Sequence, residues 1–160
     1  MADNQYDILV LGGGSAGYSA ALRAVQLGYS VALIEKEKLG GTCLHWGCIP
    51  TKAYLHSAEL AEGARESEKY GIKASLESID MAAVREYKNK VVQGKYKGLT
   101  GLMKMRKVDV IQGNGKLTGP NTIDVDGTTY TGEHIILATG SFSKTLGIEI
   151  GGRVMTSTEA

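Results

Sequence analysis

The first thirty-five residues constrain the fold of this chain more than any other segment. An apolar run from Tyr6 to Leu11 ends in the letters GGGSAG, and small residues at helical spacing follow until Gly28. A second apolar run, SVALIE, ends at Glu35. The runs predict two buried strands, and Gly28 is a suitable C-cap for the helix between them. Strand, glycine turn, helix and strand fit within about 30 residues, the length of one βαβ unit.

The glycine turn carries the first functional prediction. The spacing Gly12-x-Gly14-x-x-Gly17 is weak evidence by itself, because the chain has 22 glycines. Between a strand and a helix, Gly12 allows a tight turn, Gly14 lets the backbone approach a pyrophosphate, and Gly17 lets the helix pack closely. The helix N-terminus then offers free N–H groups and partial positive charge to phosphates. The alternative is a glycine-rich turn that binds no ligand.

An acidic residue follows the turn at the expected distance. Glu35 lies eighteen residues after Gly17, at the end of the second strand. A carboxylate in this place accepts both hydroxyls of an adenosine ribose and disfavours a 2′-phosphate. The pattern therefore predicts a site for FAD or NAD rather than for NADP.

Two helices are predicted after the βαβ unit. The first runs from Pro50 to about Gly71, and the second from about Ile79 to Met105. The buried stripe of the first helix comprises Ala53, Leu60 and Ala64. Glycines weaken the later turns of the second helix by roughly 1 kcal/mol each relative to Ala, so a kink or break is expected at Gly94, Gly98 and Gly101.

Short strand patterns follow Lys107. They include a hairpin turn at Asp126-Gly127 and a buried strand in the letters HIILATG. Together with the βαβ unit, they predict an α/β fold: a three-layer FAD/NAD-binding (Rossmann-like) domain with a parallel sheet and a small antiparallel β-meander.

Both cysteines lie in one segment, GGTCLHWGCIPTKAY, where four residues separate Cys43 from Cys48. In an ideal helix this pair would be offset by about 7.5 Å along the axis and about 140° around it. Their Cα atoms would then exceed the roughly 7 Å that a disulfide tolerates. A bridge therefore requires a bend, which Gly47 and Pro50 favour, and a strained bridge is easily reduced.

Other interpretations of the cysteine segment stay open at this point. A metal site could use His45 and His56, although the spacing is not C-x₂-C and there is no second pair. Two inert buried thiols are another possibility. Lys52 could favour a thiolate or contact an acceptor, although a lone lysine is usually solvated. Because a disulfide and a flavin each exchange two electrons, the dinucleotide turn favours a redox pair.

Composition narrows the partners and the compartment. A net charge of +1 with 22% charged residues indicates neither a nucleic acid nor an anionic membrane as partner. Seven basic residues without an acid lie between Lys88 and Lys107 and are interpreted as a solvated helix face. No run approaches the roughly 20 apolar residues of a membrane span, and the start MADNQYD lacks the features of a secretory signal. A cytoplasmic location is therefore expected.

The cysteine segment resembles the redox-active segment of the flavoprotein disulfide reductases. Its letters IPTKA are more similar to the dihydrolipoamide dehydrogenases of that family than to the glutathione or mercuric reductases. The segments DILVLGGGSAGYSAALRAVQLG, VALIEKEKLGGTC, VIQGNGKL and HIILATGS match the family pattern in the same order. The resemblance therefore covers essentially the whole chain.

The resemblance implies roles for individual residues. Cys43 would be the thiol that exchanges with dihydrolipoamide, and Cys48 the thiolate that faces the flavin. Electrons would pass from dihydrolipoyl groups to the disulfide, then to FAD, and leave as hydride to NAD; no metal is implied. The implied cofactor contacts are Gly12, Gly14, Ser15, Ala16, Gly17, Glu35, Lys36, Gly41, Thr42, Cys43, Cys48, Lys52, Gly115, Ala138, Thr139, Gly140 and Ser141.

The resemblance also implies a longer parent protein. Residues 1–145 would be the first segment of an FAD-binding domain, and residues 146–160 the start of a connection toward an NAD-binding domain. The parent would be a homodimer that serves a 2-oxoacid dehydrogenase complex, and its catalytic histidine would lie beyond Ala160. The alternatives are another disulfide reductase of the mercuric or glutathione type, or a fragment that binds flavin without catalysis or stays apo.

The chain departs from the family pattern at two places. The stretch SFSKTLGIEI lacks the prolines that the family usually has there, and Trp46 replaces a residue that is often small or basic. The path after Ser141 and the packing beside the cysteines are therefore expected to differ. None of His45, His56 and His134 matches the family's catalytic histidine, and each is expected to be a surface or packing residue.

Overall fold

Six strands and four α-helices form the part of the chain that the computed structural model describes, residues 4–159. The first three residues of MADNQYD, and residue 160 at the end of the predicted connection, lie outside it. The strands are β1 (Gln5–Leu11), β2 (Val31–Glu35), β3 (Asp109–Gln112), β4 (Gly115–Gly119), β5 (Thr122–Val125) and β6 (Thr128–Leu137). The α-helices are α1 (Ser15–Gln26), α2 (Gly41–His45), α3 (Cys48–Glu66) and α4 (Met81–Met105), and a 3₁₀ turn covers Ser67–Tyr70.

All six strands belong to one mixed sheet with the order β3-β2-β1-β6-β5-β4. Strands β3, β2, β1 and β6 run parallel, with Leu11 beside Ile34 on one side and Leu137 on the other. The first residues of β6 pair antiparallel with β5, which pairs antiparallel with β4. The α/β class, the parallel sheet and the antiparallel meander are thus confirmed.

Two apolar clusters lie on opposite faces of the sheet. Leu9 and Val10 are neighbours in β1, and their side chains point to opposite faces. The cluster on the helix side comprises Val10, Ala21, Ala24, Val31, Leu33, Leu39, Met103 and Val108. The cluster on the meander side comprises Leu9, Ala32, Ile34, Ile123 and Val125. Ile123 and Val125 of β5 thus pack on the face of β1 and β2 opposite the helices, so the meander, although hydrogen-bonded to the same sheet, supplies the third predicted layer.

The predicted hairpin is present, but the strand after it differs from the prediction. Asp126 and Gly127 adopt positive φ angles of 49° and 89° between β5 and β6, as a two-residue hairpin turn requires. The segments TTYTG and HIILATG, predicted as two strands, form the single strand β6. The second is not fully buried: Leu137 is 61% exposed. Beyond Thr131, β6 pairs as a strand only with β1. On its other edge, Asn121 accepts from the N–H of Gly132 and donates through its side-chain amide to the carbonyls of Gly132 and Glu133.

Helix α4 corrects the expected break. It runs unbroken through Gly94, Gly98 and Gly101. Side chains of α4 reach the core beneath the sheet, where Met103 is buried and Leu99 packs against the cluster. This packing outweighs the low helix propensity of glycine, since tertiary contacts routinely override propensity. The helix begins two residues later than predicted, because the Asp80 carboxylate caps the N–H groups of Ala82 and Ala83.

Helix α3 and its 3₁₀ turn end as predicted near Gly71, which has a left-handed φ of 76°. The predicted buried stripe is only partly correct. Ala53 is buried, but Leu60 is 64% exposed. Leu60 borders an open apolar cavity of about 670 Å³ between α3 and the start of α4. Within residues 4–159, no helix combines the length and apolar character that a membrane span needs.

Candidate functional site

The glycine turn joins the carboxyl ends of three parallel strands. Gly12 has a φ of 105°, and its N–H donates to the carbonyl of Ile34 in β2 at 2.8 Å. A Cβ at Gly12 would overlap the carbonyl of Ala138, which follows β6. A Cβ at Gly17 would overlap the carbonyl of Gly12. The predicted tight turn and close helix packing are therefore present at Gly12 and Gly17.

A cavity of about 1120 Å³ opens at this edge of the sheet. Its floor includes Leu11, Ile34 and Ala138, at or just after the carboxyl ends of β1, β2 and β6. The crossover from β1 leads to β2 on one side, whereas β6 lies on the other side, which makes this a topological switch point. Ligands of open α/β sheets bind at such points. The volume reaches the upper end of the roughly 300–1,000 Å³ of small-molecule sites.

The N-terminus of α1 faces this cavity without a cap. Gly14 precedes the helix and makes no side-chain hydrogen bond to it, and the first turn contains no acid. Gly14, Ser15 and Ala16 all line the cavity. The first N–H groups of the helix are thus available to an anionic ligand, with the positive end of the helix dipole behind them.

Most of the predicted cofactor contacts lie around this cavity. Those that line it are Gly12, Gly14, Ser15, Ala16, Glu35, Lys36, Gly41, Thr42, Cys43, Gly115, Ala138, Thr139, Gly140 and Ser141. Three do not line it. Gly17 is buried beneath the turn, whereas Cys48 and Lys52 are exposed in the first turns of α3.

The two cysteines form a disulfide across a break between helices. Helix α2 ends at His45, α3 begins at Cys48, and Gly47 between them has a φ of −133° and a ψ of −112°. The bend brings the Cα atoms of Cys43 and Cys48 to 4.7 Å. Pro50 falls in the first turn of α3, where a proline costs little. The predicted bend and bridge are confirmed, and the interpretation as two inert thiols is wrong.

The sulfurs of the pair have different surroundings. Cys43 is half-buried and lines the cavity. Cys48 is exposed and is the first residue of the 19-residue helix α3, whose N-terminus has no side-chain cap and no acid in its first turn. The helix dipole at that position stabilises a thiolate. The resemblance implies that Cys48 faces the flavin. In the structure, however, Cys43 is the cysteine that lines the cavity.

The Glu35 carboxylate already has partners within the chain. Its Oε2 accepts a hydrogen bond from the Gly13 N–H at 2.6 Å, and its Oε1 accepts one from the Glu37 N–H at 2.7 Å. An ionised carboxylate has about four acceptor positions. Two therefore remain for the ribose hydroxyls that the sequence assigned to it.

Several cavity residues were not predicted from the sequence. Trp46 is one of them, and its position between the two cysteines was the sequence feature that could have indicated it. Gly113 and Asn114 immediately precede the predicted Gly115. Residues 156–159 also line the cavity, although they showed no periodic pattern. Hydrogen bonds from the Thr156 hydroxyl and N–H lower the pKa of Glu159 there.

The three histidines lie as surface or packing residues. Half-buried His45 bonds through Nε2 to the carbonyl of Leu39 at 2.8 Å, and its ring contacts Tyr96. His56 and His134 are exposed. Among the described residues, no group of three or more His, Cys, Asp or Glu side chains is placed to hold a metal ion.

Comparisons with known proteins give relatives along most of the chain. A dihydrolipoyl dehydrogenase of Bacillus subtilis (strain 168) is 43% identical, over 98% of this chain and 36% of that protein. A mitochondrial dihydrolipoyl dehydrogenase of Dictyostelium discoideum is 48% identical over 86% of this chain and 30% of its own length. A leghemoglobin reductase of Vigna unguiculata is 44% identical over 89% of this chain and 29% of its own length. The chain spans about a third of the length of these relatives.

A family model described as pyridine nucleotide-disulphide oxidoreductase matches residues 6–159. The matched range contains the glycine turn, the disulfide and the cavity that lies between them. The chain therefore belongs to the pyridine nucleotide-disulphide oxidoreductase family.

Proposed function

We propose that this chain is the FAD-binding, redox-disulfide part of a dihydrolipoyl dehydrogenase. The observation that carries the proposal is the disulfide between Cys43 and Cys48. One of the two residues, Cys43, lines the cavity at the glycine turn. A redox pair and a dinucleotide-type site in one cavity give the electrons of the pair an acceptor. Relatives at 43–48% identity that are named dihydrolipoyl dehydrogenase favour this function over other disulfide reductases.

The residues around the cavity fit FAD. Gly14 has an ordinary φ of −69°, and a Cβ there would make only van der Waals contact with Gly41. No contact within residues 4–159 therefore requires glycine at position 14, whereas a pyrophosphate in contact with the turn would. The uncapped start of α1 would hold the phosphates, and Glu35 would accept the ribose hydroxyls.

FAD, when bound, supplies a two-electron acceptor for the reduced cysteine pair and passes the electrons on to NAD. The end of the cavity beside Cys43, which is bonded to Cys48 at the start of α3, would hold the flavin ring. Thr42, Trp46 and Gly41 line this end of the cavity. They would limit the access of water to the ring.

The disulfide would exchange with a dihydrolipoyl dithiol in two steps. A thiolate of the dithiol attacks Cys43, which forms a mixed disulfide and releases Cys48 as a thiolate. The second thiol then displaces Cys43, so that the lipoyl group leaves oxidised and the pair holds both electrons. Cys48 is the better leaving group, because the uncapped N-terminus of α3 stabilises the negative charge of a thiolate at its first residue.

The whole protein would oxidise dihydrolipoyl groups of a 2-oxoacid dehydrogenase complex and reduce NAD. We propose a homodimer in the cytoplasm, with residues 1–145 as the first segment of the FAD-binding domain. Residues 146–160 would begin the connection to the NAD-binding domain, while residues 156–159 also contribute to the cavity wall.

Titration of the purified chain with FAD tests the proposal. Trp46 is the only tryptophan and lines the cavity, so bound FAD should quench its fluorescence. Ala16→Glu places a negative charge beside the phosphate site and should weaken FAD binding at least about tenfold. The control Ser19→Glu adds the same charge to an exposed position of α1 outside the cavity and should bind FAD normally. Absence of FAD binding, or equal effects of the two variants, would refute the proposed site.

A further inference from the structure

Gly13 is the residue of the glycine turn that the recognised spacing leaves unassigned, and it is held from both sides. Its N–H donates to Oε2 of Glu35 at 2.6 Å, and its carbonyl accepts from the N–H of Gly40 at 2.8 Å. The residue is buried. A Cβ there would lie 2.8 Å from Cδ2 of Leu39 and 3.0 Å from Oε2 of Glu35. Gly13 therefore connects the end of β2 with the segment that leads to the disulfide.

Glu35 also fixes the segment that follows it. Its Oε1 accepts from the N–H of Glu37, and the backbone carbonyl of Glu35 accepts from the N–H of Gly113 at 3.0 Å. Both carboxylate oxygens thus accept from backbone N–H groups of the chain itself. Such charge-assisted hydrogen bonds are stronger than neutral ones.

The disulfide segment packs directly on the turn. Gly40 donates to Gly13, and a Cβ at Gly41 would lie only 2.7 Å from the Cα of Gly14. Gly41 is the first residue of α2, which carries Cys43. A shift of the glycine turn would therefore move the start of α2 and the sulfur of Cys43 relative to the cavity.

We propose that Glu35 is a positioning residue that preforms the glycine turn through Gly13 and thereby sets the disulfide segment against the cavity. This role is separate from ribose binding, because it uses different acceptor positions of the carboxylate. It rests on the proposed function only for the identity of the ligand that the preformed turn receives.

NMR of the cofactor-free chain tests this role. In the unsubstituted chain, the Gly13 amide nitrogen should show a scalar coupling across the hydrogen bond to the carboxylate carbon of Glu35. Glu35→Leu fills much of the same space, but it has no atom that can accept from a backbone N–H. Exchange of the Gly13 amide should then become roughly tenfold to a hundredfold faster, and exchange of the Gly40 amide should also accelerate.

Glu37→Leu is the matched control. It removes one negative charge two residues away, while the Gly13 N–H keeps its acceptor, so the Gly13 amide should stay protected. The Leu33 amide in the centre of β2 reports whether each variant is folded. Equal exchange of the Gly13 amide in the Glu35→Leu and unsubstituted chains would overturn the proposal. If Glu35→Leu does not fold, the coupling in the unsubstituted chain decides, and its absence overturns the proposal. Failure of FAD binding would refute the proposed function without affecting these results.

Discussion

Three glycines of the turn, Gly12, Gly13 and Gly17, pack so closely that a Cβ on any of them would lie less than 3.0 Å from another atom. The roles of Gly12 and Gly17 follow from their place between a strand and a helix, and both close approaches are present. The constraint on Gly13 could not be predicted, because its partners Glu35 and Gly40 lie 22 and 27 residues further along the chain. For the same reason, the sequence assigned the carboxylate of Glu35 only to a ligand. The local pattern does not show that the N–H of Gly13, in another segment, donates to it.

Gly17→Ala should destabilise the protein. Alanine normally stabilises a helix by about 1 kcal/mol relative to glycine, but here its Cβ would overlap the carbonyl of Gly12 and push α1 away from β1. Overpacking of this kind costs about 1–3 kcal/mol. The free energy of unfolding, measured by urea denaturation, should therefore fall.

Gly63→Ala is the control for this prediction. Gly63 is exposed in α3, and a Cβ there would meet nothing within 4 Å. This variant should be as stable as the original chain or more stable. If Gly17→Ala behaved like Gly63→Ala, the close packing of α1 on the glycine turn would be wrong.

At the level of elements, the order of strands and helices was predictable and the contacts between them were not. Periodicity and turn residues predicted β1, α1, β2 and the hairpin. The same reasoning expected a break in α4, because propensity is local whereas the packing of Met103 and Leu99 on the core is not. The start of α4 depends on the cap by Asp80, which the apolar pattern alone did not reveal.

The junction between β1 and β2 gives a prediction about pH. The Ser30 N–H and hydroxyl donate to Oδ2 of Asp7 at 2.6 and 2.8 Å, and these hydrogen bonds, the backbone one first, lower the pKa of the Asp7 carboxyl. A lowered pKa in the folded state stabilises the protein above the pKa of the unfolded state, about 3.9, and this stabilisation is lost as the pH falls through the folded-state pKa.

Ser30→Ala removes the hydroxyl donor and keeps the backbone donor. The pKa of Asp7, followed by NMR titration, should therefore rise but remain below its ordinary value. The loss of stability relative to the original chain should be largest above about pH 4 and shrink at lower pH. A difference in unfolding free energy that grows as the pH falls would contradict this account of the junction.

At the scale of the whole molecule, the sequence predicted which segments meet at the cavity, but not every residue that lines it. The glycine turn, the end of β2, the cysteine segment and the ATGS stretch line one cavity. The carboxyl ends of neighbouring parallel strands lie at one edge of a sheet, so most of this assembly follows from topology. Trp46 and residues 156–159 also line this cavity, but they lie in irregular segments, so their place there could not be predicted. The separate apolar cavity beside Leu60 could not be predicted either, because it depends on the orientation of helices.

The most direct test of the central claim is an anaerobic dithionite titration of the FAD-loaded chain, followed by visible absorption. If the disulfide and the cavity form one redox unit with Cys48 as the flavin-facing thiolate, reduction of the pair should produce a long-wavelength thiolate–flavin absorption band. The band should be retained in Cys43→Ser and absent in Cys48→Ser. No band in the original chain, or a band that requires Cys43 instead of Cys48, would contradict the account.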